Sequence, residues 1–159
     1  MKQLLIPMLA SAALLLSPAL TSPAMAATTV PVSVTFTEPI VPAGHSGCPL
    51  ETTSCGHGEV IPFGQATETI VFGGACSGSC DLRTINLAGG TIYIDEVFSN
   101  PTCPGACQPN PARPFGGTLT DVIVGGTGNF TGASGNLSGS VSVAGGGAVI
   151  KLSGTITLP

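Results

Sequence analysis

The residues with the clearest capacity for chemistry are two histidines and two cysteines in one short run. His45-x2-Cys48-x6-Cys55-x-His57 offers two imidazoles and two thiols, a donor set that suits tetrahedral zinc. The spacing matches no common zinc module. All six cysteines also fall as near neighbours, Cys48 with Cys55, Cys76 with Cys80 and Cys103 with Cys107. Six cysteines permit many pairings, but an even count in close pairs favours disulfides. Oxidised cysteines cannot ligate, so His45 and His57 remain metal candidates only, and no metal or other cofactor is expected.

A second candidate lies in "TIYIDEVF", where alternation puts Tyr93 and Asp95 on one strand face and Ile92, Ile94, Glu96 and Phe98 on the other. Turned inward, Tyr93 and Asp95 would form a general acid/base pair. The apolar weight favours the opposite orientation, with Ile92, Ile94 and Phe98 in the core. Glu38 and Glu68 are further carboxylates near strand ends. No serine sits in the strand-to-helix turn of a hydrolase: "GACSGSC" places its serines between cysteines.

The run "VGGTGNFTGASG" has the glycine density of a phosphate-cradling loop. A dinucleotide fingerprint needs G-x-G-x-x-G and then a helix. Here Gly126-Thr-Gly128-Asn-Phe-Thr-Gly132 is one residue too long, and "NLSGSVSV" after it alternates like a strand. These glycines are expected to serve geometry, turning the chain around a buried Phe130. Asn129 and Asn136 begin N-x-S/T triplets, a pattern common by chance in chains rich in Ser and Thr.

The elements that must hold these residues are strands. "VPVSVTFTE" alternates Val30, Val32, Val34 and Phe36 against Ser33, Thr35 and Thr37. "ATETIVFGG" and "GTLTDVIVGG" read as strands. "LRTINLAGGTIYIDEVF" reads as two strands joined at Gly89-Gly90, and "GNLSGSVSVAGGGAVIKLSGTITLP" as a hairpin turning near Gly145 to Gly147. Pro62 makes "GEVIPFG" an edge strand or a bend. Residues 38–58 and 99–117 read as long loops, each carrying a cysteine pair. The fold class expected is all-β, a single antiparallel barrel of about eight strands with disulfide-stapled loops.

The first 26 residues read separately. Lys2, the apolar run "LLIPMLASAALLL" and the small-x-small ending Ala24-Met25-Ala26 have the form of a secretory signal peptide. Residues 27–159 are then one barrel domain, in a secreted protein, extracellular or periplasmic, with no integral membrane segment after cleavage. Lys2 leaves with the signal, so Arg83, Arg113 and Lys151 face eight acidic residues. Nucleic acid needs a basic footprint and is excluded as a partner. With no Trp and one Tyr, aromatic sugar-stacking platforms are hard to build.

"VIVGGTGNFTGASG", running into "NLSGSVSV", resembles the turn of the dirigent and allene oxide cyclase families. The matching features are the strand Val122 to Val124, Gly125-Gly126-Thr127-Gly128, Phe130, and the small residues Ala133 and Gly135, with Gly132 a further glycine of the structural turn. The resemblance implies an eight-stranded antiparallel barrel of lipocalin-like form. It covers about 20 residues clearly. Dirigent proteins usually carry arginines where this chain has Thr131 and Ser134, and the families' catalytic acids do not align onto particular residues here, so their reactions do not carry over.

Three functions fit these readings. The first is a secreted binding or structural module, with a small apolar ligand in the barrel mouth or a partner at the loops. The second is a cyclase, isomerase or dirigent-like enzyme working inside the barrel. The third is a cell-surface assembly subunit that pairs through an exposed strand. Association with further copies of the chain is compatible with all three.

Overall fold

The computed structural model describes residues 26–39, 48–49, 52–102 and 115–159. Eight antiparallel strands follow one another: β1 (Thr28–Pro39), β2 (Ser54–Ile61), β3 (Gly64–Ala75), β4 (Cys80–Leu87), β5 (Gly90–Thr102), β6 (Phe115–Gly126), β7 (Ser134–Ala144) and β8 (Gly147–Leu158). Each pairs with its sequence neighbour, and β8 pairs back onto β1 from Thr28↔Leu158 to Pro39↔Gly147, closing the barrel. β1 is thus hydrogen-bonded on both sides, and its edges are occupied.

The alternation expected from the sequence governs which side chains fill the barrel. Val32, Val34 and Phe36 of β1 point inward, as do Ile92 and Ile94 of β5, and Ile150, Leu152 and Ile156 of β8. Ser33, Thr35, Ser138, Ser140 and Ser153 face out. This is the reverse of the apolar-outside alternation of a membrane-spanning barrel. Among the described residues no helix is long and apolar enough to cross a membrane.

The glycine-rich turn closes one end. Gly128 to Phe130 forms a single 3-10 turn between β6 and β7. Phe130 is buried and meets Phe63 edge-on, ring centroids 5.2 Å apart. Gly128 has φ +58, and a Cβ there would lie 2.3 Å from the Gly89 carbonyl oxygen. Only glycine lets this turn sit against the β4–β5 turn. Gly125, Gly132 and Gly135 also have positive φ, whereas at Gly126 the limit is space, with Phe130 Cβ 2.8 Å from an added Cβ.

Strand alternation places the β1–β2, β3–β4, β5–β6 and β7–β8 connections together at the opposite, loop end. Both described disulfides are there. Cys48–Cys55 pins the approach to β2 and Cys76–Cys80 closes the β3–β4 turn, with Cα atoms 5.6 and 5.2 Å apart. Both follow nearest-neighbour pairing. Cys107 and Cys103 lie outside the described residues.

The strands invade the expected loops. β2 begins at Ser54, inside the segment read as loop, and is paired on both sides rather than forming an edge. Its inward positions there are Ser54, Gly56 and Gly58, too small to show a hydrophobic period. β5 runs on to Thr102 and β6 starts at Phe115, so the second loop is shorter as well.

If Phe130 plugs the barrel end, Phe130→Ala loses about 3–5 kcal/mol of stability in urea denaturation. An unchanged midpoint would mean that the ring does not serve as core.

Candidate functional site

The loop-end half of the barrel interior is charged. Glu38 on β1, Glu68 on β3, Arg83 on β4, Glu96 on β5 and Asp121 on β6 all point inward and are buried. Each occupies an inward slot in the alternation of its strand: Arg83 precedes Ile85, Glu96 follows Ile94, and Asp121 lies between Leu119 and Ile123. Four of the eight acidic residues of the chain are therefore inside the barrel with one guanidinium.

Arg83 is 1% exposed and organises the cluster. Its Nε and Nη2 each donate to Glu96 Oε2 at 2.7 Å. Its Nη1 donates to Glu68 Oε2 and reaches Glu38 Oε1 at 3.4 Å. Ser54 Oγ donates to the other Glu38 oxygen at 2.7 Å. Gly56 pairs with Glu68 and follows directly on Cys55 in β2. A Cβ there would lie 2.8 Å from Glu38 Cγ and 3.0 Å from Glu68 Oε1, so the missing side chain leaves room for the two carboxyl groups. The Cys48–Cys55 disulfide is adjacent to both Ser54 and Gly56, which makes it a support of this site.

One cation cannot satisfy four acids. As carboxylates, Glu68 Oε1 and both Asp121 oxygens meet no hydrogen-bond donor among the described residues, whereas protonation lets Asp121 bond to Glu96 and Glu68 to Glu38. Burial pushes the Glu68 carboxyl well above its usual range, against the pull of Arg83. Burial, reinforced by the Glu96 charge across the strand pair, pushes Asp121 up to about 7. Burial alone would lower the Arg83 pKa, but Glu68, Glu96 and Glu38 outweigh it and keep the guanidinium charged. At neutral pH the interior thus holds an acid poised between its two forms, beside a fixed cation.

Toward the loop end, the next inward positions on β3, β5 and β6 are apolar. They include Ile70 beyond Glu68, Phe98 beyond Glu96, and Phe115 and Leu119 before Asp121, with Val143 on β7. Phe98 does not fill the core as the sequence suggested. It lies on the inward face but is 40% exposed, because β5 has reached the mouth there.

The other sequence candidates lie elsewhere. Tyr93 and Asp95 are on the outer face of β5, so the structure does not bring them together inside the barrel. His57 is exposed on β2, beside an open groove of about 440 Å³ at the loop-end rim that it shares with Thr37, Glu38, Ser142, Ala148 and Val149. His45 lies outside the described residues. Cys48 and Cys55 are bonded to each other, so that thiol pair is not free for zinc, and no metal-binding group of His, Cys, Asp and Glu forms among the described residues.

Arg83 and Asp121 were not singled out from sequence, and Glu96 was read only as a companion of Ile92 and Ile94. The available signal was a charge in register with apolar neighbours, as in Leu119-x-Asp121-x-Ile123. No family model, curated protein or solved structure matches the chain.

Two outcomes follow for stability. Asp121 has a folded pKa above its unfolded value, so its contribution is complete below about pH 4 and is lost as pH rises through about 7. Glu68 has the same sign. Wild-type stability should fall across this window relative to Asp121→Asn, by up to about 1.4 kcal/mol per pH unit. Parallel pH profiles from denaturant melts would contradict the assignment. Arg83→Met should cost about 3–5 kcal/mol at pH 7 by leaving buried carboxylates uncompensated. Adding Glu68→Gln and Glu96→Gln should recover part of the loss, which a purely steric role for Arg83 would not allow.

Proposed function

We propose that the protein is a secreted barrel that binds a small, largely apolar molecule in the loop-end half of its interior. Asp121 and Glu68 supply the polar contact, and Ile70, Phe98, Phe115 and Val143 the apolar one. The observation that carries this reading is Asp121: fully buried, with no donor reaching either oxygen among the described residues. A buried carboxylate without a donor costs stability. Replacing a buried ionic cluster by well-packed apolar residues is often neutral or stabilising, so stability alone gives little reason to keep four acids and an arginine here. Such groups are the default marker of a binding site. Secretion is supported by the disulfides at the loop end and by the leader-like first 26 residues.

A second reading is proton-transfer catalysis of the cyclase or isomerase type inside the barrel. What favours it is the near-neutral Asp121, able to give and take a proton at the pH of use. The dirigent and allene oxide cyclase resemblance of the glycine turn points the same way, and the eight-stranded antiparallel barrel has the form it implies.

Native mass spectrometry of the protein isolated from its own secretion medium tests the binding reading. The wild-type protein should carry a small-molecule adduct that Asp121→Asn and Glu68→Gln lose while remaining folded. A mass equal to that of the oxidised chain alone, unchanged when the medium is added back in excess, would overturn it.

A further inference from the structure

We propose that the ligand is an organic cation, a primary amine on an apolar body, whose ammonium group takes the place of the Asp121 proton. This inference rests on the binding reading above and adds the chemical class of the ligand.

The argument begins with charge. Asp121 is faced by Glu96 from β5, its partner across the strand pair, and by Arg83 from β4, while Glu68 on β3 and Glu38 on β1 are held by the same guanidinium. β2 contributes Ser54 and Gly56 at the same level. The inward positions of β7 and β8, such as Leu137, Val143 and Ile150, carry no charge. Asp81, nearer the loop end of β4, accepts from the Gly73 amide at 2.8 Å. Lys151 is exposed on the outer face. Among the described residues the only cation facing the acids is therefore Arg83, and its donors are committed to the three glutamates. Positive charge is what the interior lacks.

The unpartnered atoms point the same way. The two Asp121 oxygens are acceptors with no donor when ionised. A primary ammonium offers three N–H donors and no acceptor. A neutral alcohol or ketone would answer at most part of this set and leave the charge imbalance in place. In the free protein a proton supplies the missing positive charge. On binding, the Asp121 O–H bond breaks, the proton leaves to solvent, and the ammonium pairs with the carboxylate. The total charge of the interior is unchanged. The apolar body then lies toward the mouth, against Phe98 and Ile70.

Calorimetric titration with straight-chain and phenylalkyl primary amines, each paired with the alcohol of the same skeleton, tests this at pH 6 and pH 8. A carboxyl titrating at about 7 predicts that amine affinity rises about tenfold between these pH values as the ionised fraction grows. Close to one proton should be released per amine bound at pH 6 and only about a tenth of one at pH 8, read from buffers of different ionisation enthalpy. The matched alcohols should bind at least about tenfold more weakly. Asp121→Asn, which remains foldable because its side chain is neutral, should lose amine binding. Alcohols binding as tightly as amines, or amine affinity flat or falling with pH, would overturn the cation assignment and leave the binding reading standing. Failure of every amine and every alcohol to bind would overturn the cation assignment. If the native protein also carries no adduct, the binding reading falls with it.

Discussion

One buried guanidinium holds the loop-end half of this barrel together. Arg83 reaches Glu38, Glu68 and Glu96 on three other strands. None of those carboxylates could remain in the interior without it, since an isolated buried charge is far more costly than a paired one. Other features near the cluster can be understood from this requirement. Gly56 leaves room beside two of the acids, and Ser54 satisfies an oxygen that Arg83 does not. The disulfide at Cys55 secures the strand that carries both. Asp121 is left over, and it meets the excess charge by holding a proton.

The barrel divides into two halves with different tasks. At the turn end, Phe130 and Phe63 pack edge to face under a close crossing of glycine backbones, and the interior between there and the cluster is aliphatic. That half supplies the burial from which most of the stability derives. The loop end carries the unsatisfied acids and the disulfides. The staples are placed where the interior contributes least to cohesion, which is where a chain-entropy constraint is most useful.

Much of the architecture was legible in the sequence because period-2 alternation is strong in β1, β5, β6 and β8. The nearest-neighbour cysteine pairs were legible from spacing. β2 was legible only at its far end, because Gly56 and Gly58 occupy inward positions and carry no hydrophobic signal. The site was not legible. In each strand its members look like single anomalies in an apolar register, Asp121 between Leu119 and Ile123 or Glu96 after Ile94. Their meaning depends on closure, which brings together residues as far apart as Glu38 and Arg83, 45 positions along the chain. Tyr93 and Asp95 drew attention because they are chemically recognisable, but strand parity places them outside.

The central claim is that Asp121, beside a fixed cation in the barrel, keeps its proton up to near-neutral pH. Carboxyl 13C NMR of the selectively labelled protein, followed from pH 3 to pH 9, reads it directly. A single Asp resonance should titrate near 7 and be absent from Asp121→Asn. Titration of Asp121 close to its ordinary value, near 4, would contradict the account.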